Sequence, residues 1–380
     1  METGKQPVEK NIIIVAVIYF LASGVLLYKF GIQLGGEAEK YIDNAHRILN
    51  GDELRNGFFG FFYVLYSLLV AFFVKFSINL IGVAVVQVVL SFFAALLFYK
   101  LLLAALENKT TAFVFFIAYL LCYPVQRWNF YLYSESLHSS LLVIGLYFFH
   151  RWLTQAKHIR LVPLVIVLLL ILFSRPTGLI FLMTFFATGM TWLHHTKKRP
   201  AFFTVAGIAV VTLIAVLNSP LTAFVNPDSL KRMEIICQVP ETSVNAPYEE
   251  FNRQGLLKAF GVIKNDIGVG NFFRNGFTKL GYFFGMYRSY YSWQNNLLLL
   301  CYTLLYPFAL IGIFSKQSGM FFYIKWFAVV YLCITAMAIF FTCDDWANRF
   351  ISPVFPFILI LAAAGFAKTI ALFKKKERTV

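Results

Sequence analysis

The sequence predicts an all-α polytopic membrane protein of about ten transmembrane helices, with in-plane juxtamembrane helices in its first outer loop. Three observations predict it. The 380 residues are 59% hydrophobic with only 13% charged, at a mean hydropathy of +0.71; a soluble domain carries roughly a quarter charged residues. Apolar runs approaching or reaching the roughly 20 residues that cross a bilayer core recur along the whole chain. Lys and Arg cluster in short links between alternate runs, as orientation signals do.

The net charge of +15 invites a nucleic-acid reading. Its distribution excludes one, because the cations sit in inter-span links rather than on one continuous face. The 44 Phe and 20 Tyr suit lipid contact and the headgroup boundary respectively. Five cysteines are scattered with no CxxC pair, so neither a zinc site nor a disulfide framework is implied.

Residues 12–28 form an apolar run behind a mixed segment containing Lys5 and Lys10. The run is too long for a signal-peptide core and lacks a small-x-small cleavage site, so an uncleaved first span is expected over 11–30. Next comes 35–51, GGEAEKYIDNAHRILNG. Ala38, Tyr41, Ile42, Ala45, Ile48 and Leu49 recur on one helical face, and Glu39, Lys40, Asp43, Asn44, His46 and Arg47 fill the other. Gly35-Gly36 precede the helix and Asn50-Gly51 can end it, giving a short amphipathic helix at the membrane surface.

The apolar segment 58–76 is assigned by charge. If it lies in the membrane plane or re-enters, one side collects the basic links at 105–110, 150–160, 194–200 and 315–319 and the KKKER tail. That bias makes this side cytoplasmic, and a crossing 58–76 would reverse it. The remaining spans are then 79–104, 111–126, 135–151, 161–174, 178–193, 200–218, 293–313, 321–341 and 350–368, with both termini cytoplasmic. The stretch 219–292 is an extracytoplasmic loop, too short for a sizeable independent domain. Three regions follow: a membrane module over 1–218, the loop 219–292, and 293–380 with its basic tail.

Chemistry-bearing residues gather on the outer side. Glu37 stands at the N-terminus of the surface helix, where the dipole favours a carboxylate and an ionised carboxylate can act as a general base; simple capping is the plainer role. Glu39 is a second acid there or a solvated one. Glu135, in YSESLHSS, lies at the outer start of a span, where an ionisable group is costly and marks function by default; helix capping is the alternative. Tyr131 and Tyr133 can line a pocket beside it, with His138 one turn further on. Arg175, in SRPTG, must pair with an acid, a phosphate or the headgroup region. Asp344, Asp345 and Arg349, in CDDWANRF, read as a neutralised surface cluster or as a clamp for an anionic ligand, since Arg gives bidentate phosphate contacts. His194-His195 beside Lys197, Lys198 and Arg199 read as a solvated link, and no metal site is expected.

Taken together, these pieces resemble the GT-C superfamily of polyprenyl-phosphate-sugar glycosyltransferases, which includes protein O-mannosyltransferases and lipid A aminoarabinose transferases. The family's acid-x-x-x-Tyr-x-x-x-Ala surface helix is matched by Glu37, Tyr41 and Ala45. The in-plane second helix is matched by 58–76, the acid of the second outer loop by Glu135 in YSESL, a bacterial RPTG motif by Arg175–Gly178, and the Arg-aromatic-x-x-Pro start of a late span by NRFISPVFP. The resemblance covers roughly 1–195 and 340–368. The chain has Glu37 where relatives usually carry Asp, lacks a Pro around 56–60, and lacks the Trp-Trp-Asp motif and large soluble domain of oligosaccharyltransferases, which argues against protein N-glycosylation.

The resemblance implies an inverting transferase of the bacterial inner membrane. It would move a sugar from a polyprenyl-phosphate donor to a lipid, glycan or protein acceptor on the extracytoplasmic face, without a cofactor. Glu37 would be the base, with Glu39 or Glu135 positioning the acceptor or tuning it. Tyr41, Tyr133, His138, Asp344 and Asp345 would contact substrate, and Arg175 and Arg349 would offset phosphate charge. Two other classes remain in view: a lipid-linked saccharide transporter or flippase, which calls for charges through the bilayer midplane, and a polysaccharide polymerase or ligase using 219–292.

Overall fold

A computed structural model describes residues 6–55, 57–106, 108–155, 161–196, 234–237, 263–316 and 319–377. The described residues are helical, with two isolated β-bridges and no strand. Among the described residues, five helices are long and apolar enough to cross a membrane, or six if one bent pair counts as a single span. The chain forms two compact units, Met1–Phe181 with Thr369–Val380 and Leu182–Lys368.

The first unit begins with α1 (Gln6–Phe30), a span that shows most of its surface outward. The amphipathic pattern then gives α2 (Ala38–Asn50). Gly51 ends it at φ +78°, its N–H donating to the Arg47 and Ile48 carbonyls, a left-handed cap that glycine adopts without strain. A 3₁₀ segment, Gly57–Tyr63, leads into α3 (Val64–Lys75). At 1.5 Å per residue its 12 residues span about 18 Å, short of the roughly 30 Å hydrocarbon core. It packs on α2. Tyr66, Val70 and Phe73 face inward while Leu68 and Phe72 are about half exposed.

α4 (Ile81–Leu106) is the longest helix of this unit and carries α5 (Lys109–Leu120) and α7 (Glu135–Gln155) on its flanks. The expected span 111–126 is bent by 46° between α5 and the stretch Tyr123–Phe130, which opens with α6 (Tyr123–Gln126). Pro124 lies in the first turn of α6, where its missing N–H costs nothing. The exposed carbonyls of the bend are met by buried amides. Gln126 Nε2 donates to Tyr119 O, and its Oε1 accepts from Tyr19, Ser91 and Asn129. Gln87 of α4 donates to the Asn129 and Tyr131 carbonyls and accepts from Tyr66. This network ties α1, α3, α4 and the bend together.

α7 is buried on nearly all sides, so its Ser- and His-bearing N-terminal turns need not be apolar. Gly145 lets it approach α8 (Leu161–Leu172) closely; a Cβ there would sit 2.8 Å from Ile171 Cδ1. α8 covers most of the expected span 161–174. α9 (Gly178–His195) begins where Gly178 lies against the Ile171 carbonyl, 2.4 Å from where a Cβ would be. This contact explains the Gly of RPTG. The expected span 200–218 falls outside the described residues.

The second unit contains α10 (Val269–Gly285), α11 (Trp293–Thr303), α12 (Leu305–Phe314), α13 (Met320–Phe341) and α14 (Phe355–Glu377) as far as Lys368. α11 and α12 together make one span, and α13 and α14 belong to two more. α12 and α14 touch backbone to backbone: a Cβ on Gly312 or on Gly365 would lie 1.9 Å from the carbonyl of Leu361 or Phe308, the close small-residue crossing that membrane helices favour. Lys325 Nζ donates to the Ile313 and Ser315 carbonyls at the end of α12, where a cation suits the helix dipole.

Candidate active site

In the first unit the expected outer residues converge. The chain leaving α1 pairs with the chain leaving the bend: Gln33 N–H donates to Phe130 O at 2.8 Å and Leu132 N–H to Gln33 O at 3.0 Å. This brings Gly35–Glu37 against Tyr133. The Tyr133 hydroxyl donates to Gly35 O at 2.8 Å and accepts from the Glu37 N–H at 3.1 Å. Gly36 sits at φ +67°, and a Cβ on it would meet that hydroxyl at 2.4 Å. The Gly-Gly pair is therefore demanded by the tyrosine as much as by the helix start. Glu37 occupies the cap position of α2 without a side-chain capping bond.

Deeper in, the first turn of α7 meets the turn before α9. Arg175 Nη1 lies 2.6 Å from Glu135 Oε1, with the two side chains 3% and 0% exposed. Neither residue sits at a simple surface cap. His138, one turn along α7, is fully buried. Its Nδ1 is 2.7 Å from Ser174 Oγ, and Thr177 Oγ1 is 3.1 Å from its Nε2. Ser174 donates its own proton to Ile171 O. Nδ1 therefore donates to Ser174, and Nε2 accepts from Thr177.

Tyr41 connects these layers. It is fully buried, bonds Ser134 Oγ at 2.9 Å, and packs edge-on against Tyr66 with ring centroids 4.7 Å apart. Burial holds its hydroxyl well above the ordinary phenol range, Glu135, Tyr63 and Glu37 push it further, and Arg175 opposes them. Both acids and the guanidinium thus act on one phenol. Ala38, Tyr41 and Ala45 form the buried face of α2. Lys40 lies on the Tyr63 ring at 3.5 Å, and Glu39 is exposed on the opposite face. Glu39 does not join the cluster.

The surface helix departs from its expected stripe in two places. Asn44 is buried and accepts from the Arg55 N–H at 2.8 Å. Leu49 is 40% exposed. An interfacial helix meets a packed neighbour, lipid and water at once, so a two-sided pattern does not sort its residues fully.

Asp344, Asp345 and Arg349 belong to the second unit. They do not form a single clamp. Asp344 is fully buried against Arg288, which also donates to the carbonyls of Tyr282 in the last turn of α10 and Tyr287 just past it. Burial pushes the Asp344 carboxyl up to about 7, with Arg288 opposing. Arg349 pairs with Asp345 at 3.2 Å. The loop is fixed by a contact absent from the sequence expectation: Cys237 and Cys343 form a disulfide, and Cys237 N–H donates to Asp344 O at 2.7 Å while Asp344 N–H donates to Ile235 O at 2.9 Å. A spacing of 106 residues leaves no local signal for such a pair. Ala347 and Asn348 hold φ of 61° and 58°, conformations that persist where surroundings over-determine them. Among the described residues, no group of three His, Cys, Asp or Glu is placed to hold a metal ion.

No family model, no curated protein and no solved structure matches the chain.

Proposed function

We propose that the chain is a membrane glycosyltransferase that moves a sugar from a polyprenyl-phosphate donor to a lipid, glycan or protein acceptor on the extracytoplasmic face. The observation that carries this reading is the buried Glu135–Arg175 pair beside Tyr41 and His138, with Glu37 at the rim of the same unit. Desolvating two charges can cost more than their attraction returns, so such a pair needs a reason beyond stability. Positioning a guanidinium for a phosphate is one.

In the proposed step, the Glu37 carboxylate accepts the proton of the acceptor hydroxyl. The hydroxyl oxygen bonds to the anomeric carbon as that carbon's bond to the phosphate oxygen breaks. The electron pair leaves on the polyprenyl phosphate, and the anomeric centre inverts. Arg175 offsets the charge growing on the leaving phosphate, the electrostatic part that is usually largest. Glu135 orients Arg175, and Tyr41 and His138 hold the pocket in register. Asp344, Asp345 and Arg349 have no part in this step.

The disulfide supports the proposed sidedness. Such bonds persist in oxidising compartments, and the charge bias independently assigns 219–292 and 342–349 to the extracytoplasmic side. The protein would then be a multi-pass component of the bacterial inner membrane with both termini cytoplasmic. The test is purified protein in vesicles supplied with a labelled polyprenyl-phosphate sugar and an outer acceptor. Label covalently attached to acceptor supports the reading. Label that only changes leaflets assigns the protein to the transporter class instead.

A further inference from the structure

A groove of ≈ 900 Å³ runs between α1 and the α5–α6 bend. Val15, Ile18, Ala22 and Leu26 of α1 form one wall at helical spacing, and Ile117 and Leu121 contribute to the other. The wall is apolar over nearly its whole length. The open sides face outward, with Ile18 61% and Leu121 70% exposed. In an aqueous protein such a trench would be an interaction surface; on a bilayer span it is a trench for lipid chains.

The groove ends at a polar mouth. Gln33, Gln126 and Asn129 are there, and among the described residues one charged side chain, Arg127, and no carboxylate line the groove. The guanidinium lies 4.7 Å from the Trp128 ring centroid and 5.5 Å from that of Tyr123, so aromatic faces fix its position. The neighbouring amides are spent on each other: Gln126 and Asn129 bond one another and Tyr19. Among the described lining residues Arg127 is thus the one cation, beside an apolar trench. This is the complement of a phosphate headgroup on hydrocarbon chains.

We infer that the groove between α1 and the α5–α6 bend binds an anionic bilayer phospholipid, chains along α1 and phosphate at Arg127. The inference rests on the geometry of the first unit and does not depend on the sugar-transfer reading. The lipid would brace the loop that follows Arg127. That loop carries Tyr131 beside the groove and Tyr133 against Gly35 and Glu37.

The test uses the full chain in nanodiscs, with spin-labelled phosphatidylglycerol and phosphatidylcholine as probes of the motionally restricted lipid. Wild type is expected to prefer the anionic lipid about fivefold, the preference one interfacial cation confers, and Arg127→Gln to lose that preference. Ala22→Trp fills the trench from an exposed position on α1, so it should fold normally. It is expected to remove the restricted component for both lipids. Equal binding of both lipids by wild type, or unchanged binding in Ala22→Trp, would overturn the inference.

Discussion

Removing one member of the Glu135–Arg175 pair strands the other in the protein interior. Both side chains are essentially out of contact with solvent, at 0% and 3% exposure, so water does little to screen the orphaned charge. Breaking a buried pair in this way costs about 3–5 kcal/mol. That is roughly a hundred- to several-thousand-fold in the folded-to-unfolded ratio, and a fall in unfolding midpoint on the order of 10 °C. Glu135→Leu and Arg175→Met are each expected to show it in thermal unfolding of the detergent-solubilised protein. The double variant removes both charges together. Apolar replacement of a whole buried pair is commonly neutral or stabilising by about 1–4 kcal/mol, so E135L/R175M should recover most of the lost midpoint. Turnover of lipid-linked sugar should be absent in all three. Recovery of stability without recovery of activity separates a functional pair from a structural one. A double variant that folds and turns over at the wild-type rate would refute the reasoning, as would singles that unfold at the wild-type temperature.

Other expectations follow from individual contacts. Gly36→Ala adds a Cβ at φ +67° and 2.4 Å from the Tyr133 hydroxyl; the midpoint should fall, and Tyr133→Phe in the same chain should restore part of the loss, since only the clash is relieved. Gly365→Leu places a side chain on the Phe308 carbonyl and should prevent assembly of α12 with α14, read as loss of monodisperse protein on size exclusion. The Asp344 carboxyl lies near 7 in the folded protein, above the ~3.9 of an unfolded aspartate. The folded state therefore holds that proton more tightly, and this group's stabilising contribution is complete below pH ~4 and declines as the pH rises toward 7. The unfolding midpoint of wild type should slope downward over that window relative to D344N, which cannot titrate. Breaking the Cys237–Cys343 bond in C237S should destabilise the protein by about 2–5 kcal/mol, with faster migration of oxidised over reduced wild type on a gel.

Much of this arrangement is legible in the sequence because it depends on local pattern. The α2 helix follows from its periodicity and from Gly51. Arg175 and Glu135 stand out because a charge beside an apolar run is expensive. Their partnership does not, since nothing local relates positions 135 and 175. The same holds for Gln126, which meets Tyr19 across 107 residues, and for the Cys237–Cys343 pair. Glu39 shows the opposite failure: it shares a helix with Glu37, but its direction on that helix takes it to the exposed face. The Asp344-Asp345-Arg349 cluster reads as one unit in sequence and divides in space, because Arg288 reaches Asp344 from a separate element.

The central claim is that a carboxylate at the outer end of α2 takes a proton from an acceptor hydroxyl. Turnover of a polyprenyl-phosphate sugar by Glu37→Gln, measured in membranes alongside its expression and unfolding midpoint, tests it most directly. Gln keeps the size and shape of Glu while removing its charge, and the rate is expected to fall about 10²–10⁴-fold, the usual worth of a general base. A well-folded Glu37→Gln protein that transfers sugar at the wild-type rate would contradict the account.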